Sequence, residues 1–242
     1  MRAWWLALGF LTRLPVPAQA YHDASAQAKS LAWYPLVGVL IGLLLGALAW
    51  LLRGTPGMLS AALLVAAWVV LTGALHLDGL ADSADAWVGG MGDREKTLAI
   101  MKDPRCGPAG VIALVLALLL KVAALASLGP APWATLLLAP VLARAGLAAL
   151  FLTTPYLRSG GLGAGLAAAP RRACTFALLL TAAGCSLFGL RGLLALVLAA
   201  AAFGLWRRAC LVRLGGCTGD TAGALAELLE VTVLLGLALG TL

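Results

Sequence analysis

The sequence predicts an all-α, polytopic membrane protein of about seven transmembrane helices with a cytoplasmic N-terminus. Three observations carry that prediction: the composition, the length of the uncharged runs and the placement of the bases. Of 242 residues, 62% are hydrophobic and 11% charged, where a soluble domain is nearer half apolar and a quarter charged. Several runs reach or approach the ~20 residues that carry a helix across a bilayer. They are unbroken Leu, Ala and Val rather than the alternating ~10-residue segments of a membrane barrel. Helices are the remaining solution, because a lipid-exposed backbone must satisfy its own hydrogen bonds.

In chain order, residues 3–12 predict a short helix in the inner interface, where Trp4 and Trp5 suit the depth. The start resembles a secretory signal, with a basic residue, an apolar stretch and "AQA". Arg13, Pro15 and Pro17 interrupt that pattern, and cleavage would turn the most basic loop outward, so the segment is expected to be retained. Spans are expected at about 31–52, 59–77, 107–128, 132–154, 173–190, 191–206 and 222–242. The sixth is short and follows the fifth through a turn near Leu190–Gly192, so this pair also reads as a hairpin that does not fully cross. Gly38, Gly42 and Gly46 form a small-residue stripe suited to close helix packing. The chain is one integral-membrane domain. It has an N-terminal interfacial segment (1–30), a cytoplasmic active-site loop (78–106) and a cytoplasmic Gly-rich loop (207–221).

The net charge of +7 does not call for nucleic acid as a partner. With the N-terminus inside, inner segments hold 13 of the 17 Lys and Arg; only Arg53 and Arg191 fall outside, and Lys121 and Arg144 lie within spans. That is the positive-inside bias of a protein whose partner is the lipid bilayer. The five cysteines show neither CxxC nor metal-ligand spacing and are assigned no chemistry.

The ten acids are distributed just as unevenly, and none falls outside. Six lie in 78–106, and Asp220, Glu227 and Glu230 lie at or in the last span. If the second span continues as helix through Ala86, then Asp78, Asp82 and Asp85 fall within about 60° on one face. Like charges so placed repel and call for a cation. Mg²⁺ is held by one or two carboxylates plus substrate phosphates, and Gly79 leaves room for a ligand at the backbone. In "MKDPRCGPAG" (101–110), Lys102 and Arg105 flank Asp103; Lys and Arg bind phosphate. Acids for a metal beside bases for phosphate indicate a diphosphate substrate. A solvated helix end is the simpler alternative, but acids are too scarce here to favour it. In "GGCTGDTAGALAELLE" (215–230), Thr218 or Asp220 can cap the helix after a Gly-rich turn. Asp220, Glu227 and Glu230 share roughly 80° of that helix. Acids in a membrane are functional candidates; pairing of Glu227 or Glu230 with Lys121 or Arg144 is the structural alternative. His76 is the intramembrane histidine, more often a structural position at a helix end, and His22 is unassigned.

Four blocks, "FLTRLPVP" (10–17), "HLDGLADSADA" (76–86), "REKTLAIMKDPRCGPAG" (94–110) and "GGCTGDTAGALAE" (215–227), together resemble the cobalamin synthase family, the adenosylcobinamide-GDP ribazoletransferases. The resemblance covers nearly the whole chain. It implies a cytoplasmic (inner) membrane enzyme that requires Mg²⁺ and joins adenosylcobinamide-GDP to α-ribazole or its 5′-phosphate, releasing GMP. On that reading Asp78, Asp82 and Asp85 are metal ligands, with Asp85 first and His76 second as the base. Lys102, Asp103, Arg105, Arg13, Thr218, Asp220 and Glu227 are expected to bind substrate. A homo-oligomer, or association with other late cobalamin-pathway enzymes, is left open. The acid motif is also similar to that of CDP-alcohol phosphotransferases, whose longer pattern is not repeated here. A membrane prenyltransferase would normally need a second acid motif. An ion-coupled transporter would place acids near the midplane and often shows inverted repeats.

Overall fold

The computed structural model describes residues 1–19, 24–128, 133–158 and 163–240; His22 and Asp23 lie outside the described residues. In order come α1 (Arg2–Leu11), α2 (Ala24–Ser30), α3 (Tyr34–Leu51), α4 (Gly57–Thr72), α5 (Leu75–Gly90) and α6 (Arg94–Ile100). They are followed by α7 (Pro108–Ser127), α8 (Trp133–Thr153), α9 (Arg171–Ser186), α10 (Gly189–Leu214) and α11 (Gly219–Leu239). A 3₁₀ turn, Leu31–Trp33, joins α2 to α3, and another spans Ala164–Ala168. The all-helical fold class holds.

Five helical segments are long and apolar enough to cross a membrane, or six if α4 and α5 count as one bent span. The expected seven is not established. Helix α9 has 16 residues, about 24 Å, short of the ~30 Å hydrocarbon core. The expected sixth span is longer than foreseen: α10 runs 26 residues, so Arg207, Arg208 and Arg213 are helical rather than in a loop. Nor is α1 only an interfacial helix. Its Leu8 and Leu11 are buried in the main core, and Phe10 stacks on Tyr34.

The centre is α8, with Leu136, Ala139, Ala143, Leu147 and Leu150 buried. Two glycines of the predicted stripe set its contact with α3. A Cβ at Gly38 would stand 2.6 Å from the Pro140 carbonyl oxygen, and one at Gly42 would stand 2.7 Å from Leu137 Cα. Gly46 meets nothing within 4 Å and is not part of the interface. Pro140 inside α8 removes one backbone donor.

Contacts between helix ends sort the polar segments. At one end Gly57 approaches the Ala126 carbonyl, Trp133 meets Phe188 and Gly240 lies against Leu194. At the other, Arg94 Nε donates to the Leu214 carbonyl (2.7 Å) and Arg207 donates to Thr153 (2.6 Å). Segment 155–157 pairs there with Cys217 through Cys217 N to Pro155 O (2.8 Å) and Leu157 N to Cys217 O (2.9 Å). Arg53 and Arg191 belong to the first end. The acid helix, Lys102, Arg105 and Arg158 belong to the second.

The second span ends early. Helix α4 stops at Thr72, and α5 leaves it at 91°. Gly73 (φ 64°) and Ala74 (φ 58°) are both left-handed, free for glycine but costing about 1 kcal/mol for alanine. Their N–H groups cap α4 on the Val70 and Val69 carbonyls. The Arg13 side chain packs where a Cβ of residue 73 would lie, and Arg13 N donates to the Leu71 carbonyl (2.8 Å). The acids therefore share one helix, as the spacing requires, but a separate one turned across the end of α4.

Candidate active site

Helix α5 meets α11 through glycine. A Cβ at Gly79 would stand 2.7 Å from the Asp220 carbonyl oxygen, and one at Gly223 would lie 3.3 Å from Gly79 Cα. The space beside Gly79 is therefore filled by α11 backbone, not open to a ligand as expected from the sequence. This crossing brings Asp220 to the acid face of α5. Asp78 is exposed, while Asp82, Asp85 and Asp220 are half-buried. Burial first, then the neighbouring carboxylates Asp78 and Asp220, push the Asp82 carboxyl up to about 6 against a partial offset from Arg158.

Asp85 points the other way along the chain. Its two oxygens accept the N–H groups of Gly107 (2.7 Å) and Gly110 (2.9 Å), the free donors at the start of α7. It thus caps α7 from a different helix and pins the 101–107 loop to α5. Two of its roughly four lone-pair sites remain. In that loop Arg105 forms a bidentate pair with Asp103, at 3.0 and 2.7 Å. Those hydrogen bonds hold the Asp103 carboxyl down to about 2. Lys102 is exposed, so the loop presents basic groups without burying them.

Thr218 is fully buried and is a helix cap: its hydroxyl accepts from Thr221 N (3.2 Å), and Thr218 N donates to the Thr221 hydroxyl (2.8 Å). Asp220 pairs with Arg158 at 2.6 Å. Arg158 was visible in sequence only as one more inner base. The signal that singles it out, the pairing of 155–157 with Cys217, is tertiary.

Glu227 and Glu230 lie deeper, at a second cluster. Lys121 donates to Glu227 (2.6 Å) and Glu230 (2.5 Å), and Arg144 donates to the other oxygen of Glu230. Arg144 also meets His76 Nδ1 at 3.3 Å. All five side chains are buried, and Lys121 sits 4.9 Å from the Trp68 ring centroid. Two bases offset two acids, so the cluster is neutral with His76 uncharged. The donating guanidinium makes Nδ1 an acceptor. The structure thus places Glu227 and His76 in a buried ion cluster and Asp220 on the acid face. Arg13 lies over the α4–α5 bend.

The acid face suits a hard cation. It offers carboxylate oxygens under mutual repulsion that a cation relieves. Among the described residues, no three His, Cys, Asp or Glu side chains form a ready metal cage. These side chains alone do not complete a coordination sphere.

Comparison with known proteins gives the family. The family model described as Cobalamin-5-phosphate synthase matches residues 3–238. A relative from Stutzerimonas stutzeri (strain A1501), named adenosylcobinamide-GDP ribazoletransferase, is 58% identical over 97% of this chain and 96% of its own. Relatives of the same name from Pseudomonas entomophila (strain L48) and Pseudomonas aeruginosa (strain PAO1) are each 56% identical. They cover 99% of this chain, and 99% and 98% of their own. No solved structure matches the chain. Matched almost from end to end, the chain belongs to the cobalamin-5-phosphate synthase family and is a transferase.

Proposed function

We propose that this transferase joins adenosylcobinamide-GDP to α-ribazole, or its 5′-phosphate, at the cytoplasmic face of the inner membrane, with Mg²⁺. The observation that carries the reading is the face made by Asp78 and Asp82 of α5 with Asp220 of α11, at the end of the bundle that gathers the bases. The bias of bases to that end supports the cytoplasmic side.

Asp78 and Asp82 would hold Mg²⁺, which neutralises diphosphate oxygens as charge builds on them. The 3′-hydroxyl of the ribazole ribose attacks the phosphorus that carries cobinamide. A new P–O bond forms, and the bond from that phosphorus to the bridging oxygen breaks. GMP leaves with the electron pair. Asp85 takes the hydroxyl proton through an unused lone pair, its orientation fixed by the Gly107 and Gly110 N–H groups. Lys102 and Arg105 stabilise the departing phosphate from the exposed loop. His76 acts away from the reacting atoms. Its ring faces Arg144 and helps anchor the first turn of α5.

The test is turnover in nanodiscs with adenosylcobinamide-GDP, α-ribazole and Mg²⁺, following GMP and the corrinoid product by chromatography. The parent should form both, and Asp82→Asn should lose at least ~100-fold, as for removal of one electrostatic stabiliser. Full activity in folded Asp82→Asn refutes the metal face. No product from folded parent refutes the substrate assignment.

A further inference from the structure

Among the described residues, Arg158 is the only basic side chain in ion-pair contact with the acid face. One of its nitrogens, Nη2, does all the bonding, to Asp220 Oδ2 (2.6 Å) and weakly to the Met101 carbonyl (3.4 Å). Its Nε–H is buried without a partner. A guanidinium has five donors in a planar fork that matches two oxygens of a phosphate, and an unmade buried donor is costly. The side chain is nonetheless firmly based, because segment 155–157 is held to Cys217 by two backbone hydrogen bonds. Its single contact with Asp220 leaves most of the fork unused by the protein.

The charges point the same way. Arg158 pairs with Asp220 at the face that also carries Asp78 and Asp82, where carboxylates outnumber the one guanidinium. A metal at this face competes with Arg158 for Asp220. An incoming phosphoric anhydride competes with Asp220 for Arg158. Both exchanges proceed together without leaving a buried charge unpaired.

We infer that Arg158 is the diphosphate-binding arginine of this site. Asp220 holds it before substrate arrives and releases it as the metal and the diphosphate bind. The inference rests on the metal face proposed above. It adds a substrate-binding residue and makes Asp220 the partner that is exchanged.

The test uses the full-length protein in nanodiscs with two simple probes. Mn²⁺ binding without substrate is read by electron paramagnetic resonance, and pyrophosphate binding in the presence of Mg²⁺ by calorimetry. In Arg158→Gln, Mn²⁺ should bind several-fold tighter, because the competing cation is gone, while pyrophosphate weakens by tenfold or more. Arg158→Lys keeps the charge without the fork, so Mn²⁺ affinity should stay near the parent value and pyrophosphate should still weaken several-fold. These opposite signs separate a ligand role from a structural one. Pyrophosphate affinity within twofold of the parent in either variant overturns the inference. So does parallel weakening of both probes with a lowered melting temperature. If Arg158→Gln does not fold, Arg158→Lys alone decides on the same criterion. Absence of Mn²⁺ binding by the parent both without and with pyrophosphate overturns the metal face, and the inference with it.

Discussion

Replacing Lys121 by methionine tests how the buried ion cluster holds the bundle together. Lys121 donates to both Glu227 and Glu230, while Arg144 donates to Glu230 but not to Glu227. In Lys121→Met, Glu230 keeps a cation, but Glu227 loses its ion-pair partner while 4% exposed. Removing one partner of a buried pair costs about 3–5 kcal/mol, chiefly through the charge left behind. For a chain of this size that corresponds to a fall of about 10 °C in melting temperature. Lys121→Met/Glu227→Gln removes the orphaned charge as well, so it should recover more than half of the loss, with a coupling of about 2 kcal/mol. Thermal unfolding of the four proteins of this cycle, in one detergent, measures it. A single-variant shift under about 2 °C, or a double variant no better than the single, would refute the reasoning. The cluster would then be hydrated rather than desolvated.

Three further outcomes follow from the site. Gly79→Ala places a methyl against the Asp220 carbonyl; forcing α5 from α11 should cost about 1–3 kcal/mol and lower activity, read by unfolding and GMP release together. Asp85→Ala removes the cap of α7 and should cost about 1 kcal/mol; hydrogen exchange should rise at Gly107 and Gly110, whereas Asp85→Asn, which keeps one acceptor, should show a smaller rise. Asp82 has its carboxyl raised to about 6 from 3.8, so in metal-free protein its contribution to stability is present at low pH and lost as pH rises through 6. Mg²⁺ competes with that proton. Its apparent affinity should therefore be full above about pH 7 and fall by up to tenfold per unit below 6, as a Mg²⁺ titration from pH 5 to 8 would show.

Composition and spacing alone establish the class of molecule and the grouping of its acids. Uncharged runs of bilayer length leave helices as the solution, and period 3.6 places Asp78, Asp82 and Asp85 on one face wherever their helix points. These are properties of neighbours in the chain, readable from spacing alone. The resemblance of four ordered blocks reached the family by the same local route. The remaining features depend on partners distant in sequence, so they emerge only once the chain is folded. The turn at Gly73–Ala74 relies on Arg13 packing from the N-terminal segment, so the apolar run to Leu75 looked like one continuous span. Asp85 meets the N–H groups of Gly107 and Gly110, and Glu227 meets Lys121, 106 residues away; neither pairing leaves a mark in local spacing. Arg158 had the least to distinguish it in sequence, one base among many on its side. It joins the acid face because Cys217 holds its segment and because two glycines, Gly79 and Gly223, let α5 and α11 approach to backbone contact.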